Sequence, residues 1–90
     1  IESDPEPLWL FVERWGQYPD EDLRAGIATC LLEHLLECHF DLLFPRMERL
    51  ARSNRLFAET IAMCSLFGQS EIPENAARLN GLVEELRNAN

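Results

Sequence analysis

The sequence predicts an all-α domain of about five helices: two stacked helical hairpins, residues 8–38 and 41–68, and a capping helix over 73–88. Apolar residues recur at i, i+3, i+4 and i+7 along most of the 90 residues, the spacing of one helix face. The 4 glycines and 5 prolines are sparse and fall mainly between these runs, where helices start and stop. Almost nothing alternates with the period of two that marks a half-buried strand.

Taken in order, Asp4 followed by Pro5 is a helix start, a capping carboxylate and then proline at the first helical position. Leu8, Phe11, Val12 and Trp15 form the predicted inward face of this helix, and Gly16 is expected to end it in the left-handed conformation. Asp20 or Asp22 caps a second helix over about 21–38. Leu23, Ile27, Ala28, Leu31, Leu32, Leu35 and Leu36 make it apolar over most of its girth, as in a helix packed on several sides. Asp22, Gly26, Thr29, Glu33 and Glu37 are its polar strip. His39 and Phe40 are read as a turn and Asp41 as the next cap. Leu42, Phe44, Met47 and Leu50 then face inward, with Pro45 near the first turn, where a missing N–H costs little. Ser53 or Asn54 caps a broadly apolar helix over 55–67 that Gly68 stops. Pro73 opens the last helix, whose single stripe is Leu79, Leu82, Val83 and Leu86.

The chain repeats itself. Ile27–Cys30 (IATC) matches Ile61–Cys64 (IAMC) at a shift of 34, and Val12–Trp15 (VERW) matches Met47–Leu50 (MERL) at 35. A period in this range marks a helical solenoid. DEDLRAGIATCLL resembles the second helix of a HEAT repeat, with Asp20, Leu23, Arg24, Ile27 and Ala28 in the places of that family's pattern. FPRMERLARSNRLFAETIAMC also resembles a HEAT unit, with Pro45 at that family's first-helix proline and Ala58 where its Arg is expected. The resemblance covers residues 8–68 and implies a short HEAT-like α-solenoid serving protein interaction or scaffolding. Some HEAT-like proteins bind nucleic acid instead.

Ninety residues make one domain, read as a piece of a longer chain because it opens IESDPEP with no initiator Met. The net charge is −8, and all 8 basic residues are Arg. Such a surface repels phosphate backbones and anionic membranes, so the expected partner is a protein, basic or an adjacent repeat, and neither nucleic acid nor membrane. Three cysteines in apolar runs, with no CxxC pair, fit a reducing compartment, and a cytoplasmic location is expected. No apolar run reaches the ~18 residues of a membrane span.

Cys30, His34 and Cys38 stand at i, i+4, i+8. About 12 Å of helix axis separates Cys30 from Cys38 at 1.5 Å per residue, so both cannot reach one ion. His34 with Cys38 is the competent pair, with Glu37, Asp41 or Cys64 as further ligands. The preferred reading is a packing role, with all three cysteines buried as small hydrophobes, no cofactor and no catalysis. Arg46, Arg49, Arg52 and Arg55 make a slanted patch, read as a solvated face with Glu48 and Glu59. Trp9, Leu10 and Phe11 are the expected interaction residues, an exposed patch for a preceding repeat or a second copy. Two rival functions are an acidic inhibitor of a basic protein, acting by charge steering, and a metal-binding protein using His34 and Cys38.

Overall fold

The computed structural model describes residues 4–88, and over them the chain is all-α, with no strand. Helix α1 spans Glu6–Trp15, α2 Glu21–Gly26, α3 Glu33–Ser53, α4 Arg55–Ala62 and α5 Pro73–Asn88. A π-helical stretch, Ile27–Leu32, joins α2 to α3 without a break, and a 3-10 turn, Gly68–Glu71, leads into α5. Residues 21–53 therefore form one rod kinked at His39, where two helices and a turn were predicted, so the described residues make four helical bodies.

The predicted turn survives as a bend in that rod. His39 leaves helical geometry at φ −140°, ψ 44°. A side chain from far along the chain bridges the break: Gln69 Oε1 accepts from the Phe40 N–H at 2.9 Å, and Gln69 Nε2 donates to the Cys38 carbonyl at 2.8 Å. One amide thus satisfies a donor and an acceptor beside the bend, where an orphaned backbone group would cost about 1–3 kcal/mol.

Two caps form as the sequence indicates. Asp20 Oδ1 accepts from the N–H groups of Asp22 and Leu23, and Asn54 Oδ1 from that of Phe57. Gly16 differs from expectation, since its φ is −68° and not left-handed. Space is what Gly16 provides: a Cβ there would stand 2.6 Å from the Val12 carbonyl and 2.9 Å from the Phe57 ring. Helix α4 ends at Ala62, five residues before the predicted end, and 63–67 run without regular structure.

Phase is where the structure departs most from the sequence reading. Helix α1 buries Val12 as predicted and keeps Leu8 and Trp15 partly buried against the core, but it turns Trp9 inward and leaves Phe11 exposed. Trp9 is only 5% exposed and meets Phe57 edge-on at 6.2 Å between ring centroids. The rod passes through a π-helical stretch at Ile27–Leu32. There the backbone bonds reach to i+5, yet Ile27, Ala28, Leu32, Leu35 and Leu36 stay buried on both sides of it, as the sequence predicts. Cys30, predicted to be buried, is exposed. Glu33, predicted on the polar strip, is buried, its Oε2 accepting from the Ser65 N–H at 2.6 Å.

The core gathers Val12, Leu32, Leu35, Leu36, Phe40, Leu43, Met47, Phe57 and Ile61, with α5 closing it through Leu79 and Leu82. Phe40 and Phe44 stack at 4.9 Å, and the Arg78 guanidinium of α5 lies 4.7 Å from the Phe44 ring centroid. Arg24 is buried as well. Its Nη1 donates to the carbonyls of Tyr18 and Pro19, and its Nη2 to Glu59 of α4. That one side chain ties the α1–α2 turn to α4.

Candidate functional site

Of the three residues the sequence marks for interaction, the structure separates one. Trp9 belongs to the core, where its ring packs edge-on against Phe57. Leu10 and Phe11 do face water, 61% and 48% exposed. Phe11 begins a strip that was not predicted: Phe11, Trp15 and Tyr18 at i, i+4 and i+7. Their neighbouring ring centroids stand 6.3 and 5.5 Å apart, and Arg14 lies 5.1 Å from the Trp15 ring. Tyr18 is 47% exposed. The signal was present in the sequence, since the same spacing that assigned Phe11 and Trp15 to the core also places them together if the helix is turned over.

The second assembly is on the rod just before its bend. One donor atom each from His34, Glu37 and Cys38 lie within 4.8 Å of one another. The His34 Nδ1 to Glu37 Oε1 distance is 3.9 Å. Cys64, the third metal candidate, is elsewhere: its Sγ points at the carbonyls of Ala28 and Thr60, 3.7 and 3.9 Å away. Burial, and then the Glu33 carboxylate, push the Cys64 thiol up to about 12. Cys30 lies on the surface beside the Thr29 hydroxyl at 3.9 Å. The expectation that all three cysteines are buried is therefore corrected: Cys30 is exposed, while Cys38 and Cys64 are part-buried.

Alkylation kinetics should separate these thiols. At mildly alkaline pH Cys30 should label fast in the native protein. Cys64 should label far more slowly, since burial both shields its sulfur and withholds the thiolate, the reactive form. Mass spectrometry of timed samples reads this directly; equal rates for Cys30 and Cys64 would contradict the packing described.

The slanted arginines are largely paired with acids. Arg46 Nη1 meets Glu6 at 2.7 Å, Arg52 Nη2 meets Glu48 at 3.0 Å while its Nη1 reaches Glu85, and Arg55 Nε is 3.9 Å from Glu59. These partners hold the Glu6 and Glu85 carboxyls below the usual carboxylate range. Exposed pairs of this kind add little stability, but they cancel the patch's positive charge.

No helix among the described residues is long and apolar enough to cross a membrane. Compared with known proteins, the chain matches no family model, no curated protein and no solved structure.

Proposed function

We propose that the chain is a non-catalytic protein-interaction module of HEAT-like repeat type, and that it binds through the outer face of α1. The observation carrying this reading is the aromatic strip Phe11–Trp15–Tyr18, flanked by Leu10. Large apolar side chains contiguous on a surface mark an interface, and aromatic residues are enriched where proteins meet. Support for the repeat reading comes from Arg24, one of the five residues of its helix that carry the HEAT resemblance. It is buried and ties the first hairpin to Glu59 of the second. The Thr60 hydroxyl, donating to the Gly16 carbonyl at 2.6 Å, joins the same two units. The strip takes the apolar face of another helix, from an adjoining repeat or a second copy of this chain.

Light scattering over a range of concentrations tests this on the chain alone. Self-association is expected, and the double variant Leu10→Glu, Phe11→Glu should abolish it while leaving the helical circular dichroism unchanged, because both side chains already face water. A wild-type chain that stays monomeric at high concentration, with no change in Trp15 fluorescence on concentrating it, would overturn the reading.

A further inference from the structure

We infer that His34, Glu37 and Cys38 form a zinc site with an open coordination position. This goes beyond the interaction reading and does not depend on it. The three residues supply an imidazole nitrogen, a carboxylate oxygen and a thiol sulfur, all ordinary zinc ligands. Their spacing is i, i+3 and i+4, which places them as neighbours on one helix face. Paired ligands at i, i+4 on a helix bind zinc in other settings for this geometric reason.

The distances fit. Bonds of ~2.0–2.3 Å arranged tetrahedrally place ligand atoms about 3.3–3.8 Å apart. Here the three donors already lie within 4.8 Å of each other, with His34 and Glu37 at 3.9 Å. Closing the remainder falls to rotation of the Glu37 side chain, which is exposed although Gly68 packs on its stem. On binding, the Cys38 thiol gives its proton to solvent and its sulfur takes the ion. Three protein ligands leave the fourth tetrahedral position to water or to a group from outside the chain, the arrangement of open rather than structural sites.

The backbone beneath the cluster is braced. Gln69 holds the Cys38 carbonyl and the Phe40 N–H across the bend at His39. Gly68 packs on the Glu37 stem so closely that a Cβ there would stand 2.9 Å from the Glu37 carbonyl oxygen. A loop from far downstream therefore fixes the segment that carries two of the ligands, as groups outside the first coordination sphere do in metal sites.

Zinc alone, titrated into the whole chain against a chromophoric chelator, tests the inference. One zinc per chain is expected. Cys38→Ser and His34→Ala should each weaken binding by more than about tenfold, while Cys30→Ser and Cys64→Ser leave it unchanged. Cobalt in place of zinc should show a thiolate-to-cobalt charge-transfer band that Cys38→Ser removes. A further readout needs no variant: zinc should slow alkylation of Cys38 and not of Cys30. The site is overturned if Cys38→Ser binds zinc as tightly as the wild type, if Cys30→Ser loses binding equally, or if zinc leaves Cys38 alkylation untouched.

Discussion

Phe57→Ala should cost about 3–5 kcal/mol of unfolding free energy, the range for emptying a buried aromatic site. Phe57 is fully buried, its ring packs edge-on against Trp9, and Gly16 lies against the same ring with no room for a Cβ. Removing the ring leaves Trp9 without its partner, an aromatic contact that adds about 0.5–1.5 kcal/mol beyond burial. The gap also opens beneath the junction of α1 and α4. For domains of this size each kcal/mol shifts the melting temperature by about 4–8 °C, and total stability is about 5–15 kcal/mol, so a large part of the fold's margin would go. Urea unfolding measures it. Phe57→Leu should lose less, about 1–2 kcal/mol. A loss below about 1 kcal/mol for Phe57→Ala would mean that the ring does not fill the junction.

Gly68→Ala should cost about 2–4 kcal/mol from two sources. The residue sits at φ 53°, where an L side chain is strained by about 1–2 kcal/mol. The added Cβ would also run into the Glu37 side-chain stem and the Glu37 carbonyl. Because Gly68 is rigidly placed ahead of Gln69, the loop would lift and the amide bridge over the bend would open. Hydrogen exchange at the Phe40 amide should then rise by more than global stability alone explains. In a Glu37→Ala background the same substitution should cost less, by at least about 0.5 kcal/mol, since part of the obstruction is gone. Equal costs in both backgrounds would show that backbone strain alone is responsible.

Much of the fold was legible locally. The caps at Asp20 and Asn54 and the start of α5 at Pro73 come from chemistry within three residues of each point, which tertiary packing did not override. The stripe of α5 was readable because that helix has one apolar face, and Leu79 and Leu82 are indeed buried. The bend at His39 is legible in the sequence as a turn. Gln69 is what preserves it as a bend inside one rod, and no local pattern reports a contact from so far along the chain.

The candidate sites divide in the same way. His34 and Cys38 were readable as a pair because helical spacing alone makes them neighbours, and Glu37 joins them for the same reason. Cys64 and Cys30 were misplaced because their positions depend on how elements pack.

By itself, then, the amino-acid sequence determined that this protein is helical, where most helices begin, and which side chains share a helix face. These depend on caps, prolines and periodicity, all short-range. Only the tertiary structure decided which face turns inward. Helix α1 carries apolar residues on either side of Val12, so either Phe11 or Trp9 could have joined it in the core. It is Trp9 that went in, where its ring meets Phe57 of α4 edge-on. Glu33 is likewise buried because the Ser65 N–H, from far along the chain, meets its carboxylate, and no local pattern reports that partner.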